Sequence, residues 1–265
     1  MRMKDLVPPV VKDIVRMRHV SFFDSYSSAL STCNSGYQQD TLIRTVHEKT
    51  KRYRDSLKSA PIVCEMVSLH TFIGVIGLPK PELNVIDFGG ACGAHYFLAR
   101  AVLESKLRWR VVEIPKMVQT ARDLENDELR FFDNLEDALR SLPRADLVFS
   151  SGTLQYVPNP YQSLEELTKC GAAQIFITRV GLTTGPKEII SIQRSRIADN
   201  GPGLSLEGAP NELVRYPVTF ASKHRFEQIL QTHYIVRVQL NEERRVHWAG
   251  EWIDYFGYLA TVNSP

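Results

Sequence analysis

Val85-Ile86-Asp87-Phe88 runs directly into Gly89-Gly90-Ala91-Cys92-Gly93, and this junction constrains the fold more than any other part of the 265-residue chain. A short apolar run bounded by glycine reads as a strand buried on both faces. The small residues after it permit a tight turn and close approach of backbone to a ligand, with a helix opening at about Ala94. In an open sheet such a turn lies at the carboxyl end of a strand, where ligands bind, and by itself it reads either as a ligand site or as a structural turn.

Downstream, strand and helix alternate. Segments 109–114, 129–132, 145–149 and 173–179 read as strands, and 94–105, 115–124, 135–142 and 160–168 as helices, two of them with proline in the opening turn. That tempo predicts an α/β domain with a mostly parallel sheet flanked by helices. Segment 183–217 breaks the rhythm with Gly185-Pro186, Gly201-Pro202-Gly203 and Gly208-Ala209-Pro210, and reads as an irregular insertion serving as a binding loop or lid. A helix with a serine cap over 222–231 and a strand over 234–240 follow, and aromatic-rich 248–260 closes the sheet edge.

Upstream, Leu42, Ile43, Val46, Tyr53 and Leu57 form an apolar stripe on a helix over 37–57. Lys49, Lys51, Arg52 and Arg54 on the same helix read as a solvated face, or else as a contact for an anionic substrate or membrane surface. Gly77, Pro79 and Pro81 punctuate the end of the apolar run 61–77, which places the boundary there. Two regions are expected: a helical N-terminal region, 1–80, acting as a lid or as a substrate or dimer contact, and a main domain, 81–265.

A net charge of +2 supplies no general field for nucleic acid, so no nucleic-acid partner is expected. Residues 1–19 lack a signal-peptide pattern, and no apolar run is long enough to cross a bilayer. The four cysteines form no CxxC pair and the seven histidines no HExxH, which suggests reduced thiols, a cytoplasmic location and no metal site.

Glu113 stands twenty residues after Gly93 at the end of the second strand, where a carboxylate can accept hydrogen bonds from the ribose hydroxyls of an adenosine cofactor. NAD satisfies this pairing equally. Asp87 bears on the choice, because a carboxylate beside the loop suits an amine or sulfonium better than a pyrophosphate.

The segment VIDFGGACG resembles the first motif of class I S-adenosylmethionine-dependent methyltransferases, with Ala91 where the middle glycine usually stands. Val111-Val112-Glu113-Ile114-Pro115 resembles the second-strand end of small-molecule O-methyltransferases, and segment 146–156 (DLVFSSGTLQY) the fourth-strand motif. The resemblance covers 83–179 well. More narrowly, Gly36-Tyr37, the loop and segment 189–193 are similar to a bacterial group of methyltransferases found with surface-polysaccharide biosynthesis genes.

The resemblance implies a seven-stranded, mostly parallel Rossmann-like sheet and S-adenosylmethionine as cofactor. Asp87 and the backbone of Gly89, Gly90, Ala91 and Gly93 would face its amino-acid part. Glu113 would hold the ribose, Ile114 would pack on the adenine, and Asp133 would meet the adenine amine. Ser150, Ser151 and Leu154 would line the floor below the sulfonium. Both Asp87 and Glu113 are expected at solvent-accessible strand ends, so that their removal spares the fold.

Because the methyl donor is already activated, catalysis is largely placement, aided by a base if the acceptor is a hydroxyl. Tyr156, just past the fourth strand, and His224, early in a late helix, are the candidate catalytic groups; packing and a surface or capping role are the plainer readings. His95 reads as a packing or hydrogen-bonding residue. Arg179, Gln193, Arg215 and Tyr216 flank the insertion and offer a polar sugar donors and an aromatic platform, or else read as solvated loop positions. Trp248 and Trp252, four apart, suggest a helical face in the core or in a homodimer contact. The acceptor is expected to be a small molecule, a sugar or a glycan precursor. A noncatalytic cofactor-binding protein and an NAD-dependent oxidoreductase are the alternatives.

Overall fold

The computed structural model describes residues 21–33, 36–58, 66–76, 80–203, 208 and 212–263. The readings of 1–19 and the punctuation at Gly77 and Pro79 lie outside them, as does part of the run 61–77.

Strand β2 (Glu82–Phe88) is the centre of the parallel set, with residues 83–87 buried on both faces between its two neighbours. It pairs in parallel with β3 (Lys106–Val112) and β5 (Leu147–Ser151); β4 (Leu129–Phe132) continues the parallel set beyond β3, and β6 (Gln174–Thr183) beyond β5. On the outer edge of β6 lies antiparallel β10 (Glu251–Val262), and β9 (Tyr234–Trp248) pairs antiparallel with β10. The order β4-β3-β2-β5-β6-β10-β9 makes seven strands with one reversed, the Rossmann-like sheet of the sequence reading.

Alternation along the strands divides the core. Val85, Trp109, Val111, Phe149 and Phe176 face one layer, while Ile86, Val112, Val148, Ile175 and Ile177 face the other. Helices α1 (Tyr26–Ser31), α2 (Asp40–Ser56) and α3 (Met66–Ile76) precede β2. Then α4 (Ala94–Val102), α5 (Pro115–Ala121), α6 (Leu135–Arg140) and α7 (Pro160–Thr168) fill the crossovers, and α8 (Lys223–His233) leads into β9. Asn134 and Asn159 cap α6 and α7 by accepting from Asp137 and Gln162 N–H. Ser222 stands at the N-cap of α8 as expected, but its hydroxyl donates to Gly185 O instead.

Leu42, Ile43 and Val46 of α2 enter the same core as Tyr96, Met117 and Val118. Each such side chain stabilises the docking by about 1.5–3 kcal/mol. Lys49 corrects the solvated-face reading: it is 2% exposed and its Nζ donates to Ala198 O at 3.1 Å. An amphipathic stem can lie along apolar surface when its head finds a carbonyl.

Segment 183–217 is the largest correction. It contains β7 (Ile189–Arg196) and the start of β8 (Leu213–Ser222), an antiparallel pair in unbroken register from Ile189↔Phe220 to Arg196↔Leu213. Two-residue β1 (Phe22–Phe23) adds to β7. The described residues therefore hold ten strands rather than seven. Strand β8 joins β6 in parallel at Leu182↔Ala221 and Thr183↔Ser222, beyond the last β5 pairing at Ser151↔Thr178. Since β10 occupies the opposite edge of β6, β8 and β7 rise past the carboxyl end of β5 as a cap.

Trp248 and Trp252 share no helix. They flank a tight β9–β10 hairpin turn at Ala249 (φ 50°) and Gly250 (φ 82°), with Trp248 opposite Glu251 and Trp252 opposite His247.

Candidate functional site

The loop after β2 is shaped by close contacts. A Cβ on Gly89 (φ 74°) would lie 2.2 Å from the Thr153 side chain, and one on Gly90 2.4 Å from Asp87 Oδ2. Gly93 (φ 80°) starts α4, and its N–H donates to Gly90 O at 2.9 Å. Ala91 holds φ 49° without the freedom of glycine, a conformation that costs roughly 1–2 kcal/mol. Its N–H donates to Glu113 Oε1 at 3.1 Å, and Ile114 N–H donates to Glu113 Oε2 at 2.9 Å. Burial pushes the Glu113 carboxyl up, the two N–H donors pull it down, and Asp87 adds a further upward push.

Asp87 differs from its expected place. It is 0% exposed, not at an open strand end. Its Oδ2 accepts from Trp109 Nε1 at 3.0 Å and lies 3.3 Å from His95 Nδ1, while Oδ1 is buried without a hydrogen-bond partner among the described residues. The register Asp87↔Val111 explains the pairing, since Trp109 falls two residues earlier on the same face of the adjacent strand. Composition carries no trace of register, so Trp109 went unnamed as a site residue. His95 makes the hydrogen bond anticipated at the helix start, with its ring edge-on to Phe149.

Parallel register brings Gly89, Glu113, Ile114 and Asp133 to one rim, the carboxyl ends of β2, β3 and β4. Ile114 is half-buried; Asp133 is exposed and accepts from Asn134 Nδ2 at 3.0 Å. Ser150 Oγ donates to Phe88 O at 3.0 Å, and Ser151 Oγ accepts from Thr178 Oγ1 at 2.9 Å, so both hydroxyls tie strand ends together. Leu154 is 1% exposed and packs in the layer of Ile86 and Val148. Thr153, which was not singled out, leans on Gly89.

Above the rim sits an aromatic cluster. Tyr37, from the turn Gly36–Gln38, stacks on Tyr216 of β8 with centroids 4.2 Å apart, and Tyr156 meets both rings edge-on at 5.4 and 5.3 Å. Tyr156 OH donates to Gln193 Oε1 at 2.8 Å, Gln193 Nε2 donates to Tyr216 OH at 3.3 Å, and Tyr216 OH donates to Ser195 Oγ at 3.0 Å. Burial, then neighbouring Tyr216 and Tyr255, push the Tyr156 phenol far up, so it is a neutral donor at physiological pH. Burial also raises Tyr37, with Glu113 among the charges it feels. Lys116 fastens the Tyr37 segment across the rim by donating to Asp40 at 3.0 Å and Gln38 O at 3.2 Å.

His224 makes no hydrogen bond with the loop or the cluster. It is exposed on α8, which packs through Phe226 and Leu230 on the sheet face opposite Asp87 and Trp109. Arg215 Nε is buried with no hydrogen-bond partner among the described residues. Among those residues no group of three or more His, Cys, Asp or Glu could hold a metal ion, and no helix is long and apolar enough to cross a membrane.

No family model matches the sequence, and no curated protein matches it. Among solved structures the fold is similar to the N-terminal domain of EvdMO1 with SAH bound, at TM-score 0.47 and 11% identity over 82% of this chain and 96% of that one. An S-adenosylmethionine-dependent methyltransferase from Clostridium acetobutylicum aligns at TM-score 0.46 and 11% identity, covering 82% of this chain and 99% of its own. A Burkholderia thailandensis 1,6-didemethyltoxoflavin-N1-methyltransferase with bound 1,6-didemethyltoxoflavin and S-adenosylhomocysteine aligns at TM-score 0.45 and 16% identity, covering 92% of this chain and 95% of its own.

Proposed function

We propose that this chain is an S-adenosylmethionine-dependent methyltransferase that binds its cofactor across the carboxyl ends of β2, β3 and β4. The observation that carries the reading is the coupling of Glu113 to the Gly89–Gly93 loop, beside a buried Asp87 whose Oδ1 has no hydrogen-bond partner among the described residues. The cradle suits the cofactor: Cβ atoms on Gly89 and Gly90 would collide with their neighbours, so backbone is what the loop presents. Each Glu113 oxygen has lone-pair capacity left for a ribose hydroxyl after accepting one N–H. An acid as deep as Asp87 favours an amine or sulfonium nearby over a pyrophosphate.

Bound S-adenosylmethionine supplies an activated methyl group, and the protein's work is placement. Gly89, Gly90, Ala91 and Gly93 hold the amino-acid end, Ile114 and Asp133 the adenine end, and Ser150, Ser151 and Leu154 fix the strand ends beneath. Tyr156, with its hydroxyl engaged by Gln193, positions the acceptor rather than serving as a base. The segment around Tyr37 and the β7–β8 cap close over the rim and exclude water, the lid role of the N-terminal region. The half-buried Tyr37 and Tyr156 rings beside Gln193 suit a sugar or similar small acceptor reacting through a hydroxyl, including a glycan precursor.

Native mass spectrometry tests the reading. Purified protein mixed with equimolar S-adenosylhomocysteine and NAD is expected to carry the S-adenosylhomocysteine adduct, reduced in Glu113→Ala. A protein carrying only the NAD adduct overturns the reading.

A further inference from the structure

Arg179 occupies a backbone conformation that ordinary strand residues avoid. It has φ 58° in the middle of β6, where the β10 register jumps from Val180↔Phe256 to Ile177↔Tyr258. Thr178 and Arg179 thus face the single residue Gly257, a β-bulge, and bulges beside active sites re-aim side chains. The bulge is built rather than accidental: Arg179 N–H donates to Glu242 Oε1 at 2.6 Å, and Arg179 O accepts from Gln155 Nε2 at 3.1 Å.

The bulge sends the guanidinium toward the end of β5. Its Cζ lies 3.3 Å from where a Cβ on Gly152 would stand, and Gly152 itself holds φ 68°. Next to Gly152 is Thr153, which leans on Gly89 of the loop. A continuous contact therefore runs from Gly89 through Thr153 and Gly152 to Arg179. The charge is felt in the aromatic cluster, where burial raises Tyr156 and Arg179 opposes that rise. Yet Arg179 is exposed, and no carboxylate among the described residues forms an ion pair with its guanidinium.

We infer that Arg179 is the anion-binding residue of the acceptor site, receiving an oxyanion, a carboxylate or phosphate, carried by the methyl acceptor. The inference rests on the methyltransferase reading for the word acceptor, and the geometry alone supports the anion site. A cation held beside Gly152, at the strand end next to the proposed cofactor rim, is unfavourable near a sulfonium until an anion lies between them. A guanidinium fork matches either oxyanion in bidentate fashion. The acceptor class narrows from any polar sugar to an acidic small molecule, such as a uronic acid, a hydroxy acid or a sugar phosphate.

The test uses the full chain with 15N-labelled arginine side chains, titrated with benzoate, inorganic phosphate and neutral benzamide. Saturable movement of the Arg179 Nε–H signal with benzoate or phosphate, but not benzamide, is expected, and the tighter of the two identifies the oxyanion. Arg179→Gln should weaken that binding about tenfold or more, Arg179→Lys less, and Arg237→Gln on the outer strand not at all. Equal affinity in wild type and Arg179→Gln, or no saturable response to either anion, overturns the inference. Calorimetry with S-adenosylhomocysteine separates the two claims. Unchanged cofactor affinity in Arg179→Gln supports both, whereas a wild type that binds anion at Arg179 but no S-adenosylhomocysteine defeats only the cofactor reading.

Discussion

The carboxylate of Glu113, at the end of β3, accepts the N–H of Ala91 across 22 residues and so closes the turn that ends β2. One side chain thereby holds the loop in shape and faces the position proposed for a ribose. Glu113→Ala should lose about 1–3 kcal/mol of stability in urea denaturation, because the Ala91 and Ile114 donors lose their acceptor. It should also weaken S-adenosylhomocysteine binding at least about tenfold. Unchanged stability together with unchanged binding contradicts both roles.

The pH dependence follows from the direction of the Glu113 shift. Its native pKa is raised above the ordinary 4.5, chiefly by burial. The native state therefore holds this proton more tightly than the unfolded chain does. Its stabilising contribution is complete below 4.5 and is lost as pH rises through the raised native value. Against Glu113→Gln, the wild type should lose stability as pH climbs from 4.5 toward neutrality, measured as the difference in urea midpoints. A constant difference across that range contradicts the assignment.

Asp87 and Gly90 are expected to be intolerant for one shared reason. Asp87→Ala strands the Trp109 indole N–H in the core and should cost roughly 3 kcal/mol, so the fold is not spared. Gly90→Ala drives a methyl group against the same carboxylate and should destabilise comparably. Asp87→Asn keeps an acceptor for Trp109 and should retain the fold with weaker cofactor binding, read by circular dichroism beside calorimetry.

Tyr156→Phe removes only the hydroxyl held by Gln193. Stability should fall by about 1 kcal/mol, and S-adenosylhomocysteine affinity should not change, since the phenol belongs to the acceptor side. A large loss of cofactor affinity would move Tyr156 into the cofactor site.

The mostly parallel sheet with flanking helices was legible because short buried strands such as Leu147–Phe149 alternate with helical segments, whereas the strand count came only from the family resemblance. The loop and Glu113 were legible from spacing. The β7–β8 cap was not, because Pro217 sits opposite Ile192 within the ladder and proline ordinarily argues against a strand. The bulge at Arg179 and the Asp87–Trp109 bond depend on register between segments distant in sequence, which period and composition do not encode. Trp248 and Trp252 misled through spacing alone, as the Ala249-Gly250 turn lacks the usual Asn-Gly signature of a hairpin.

Isothermal titration of the wild-type chain with S-adenosylmethionine, S-adenosylhomocysteine and NAD tests the central claim most directly. Saturable binding of both methionine derivatives at one site per chain, with no heat from NAD, is the predicted result. Selective binding of NAD, with no response to either methionine derivative, contradicts it.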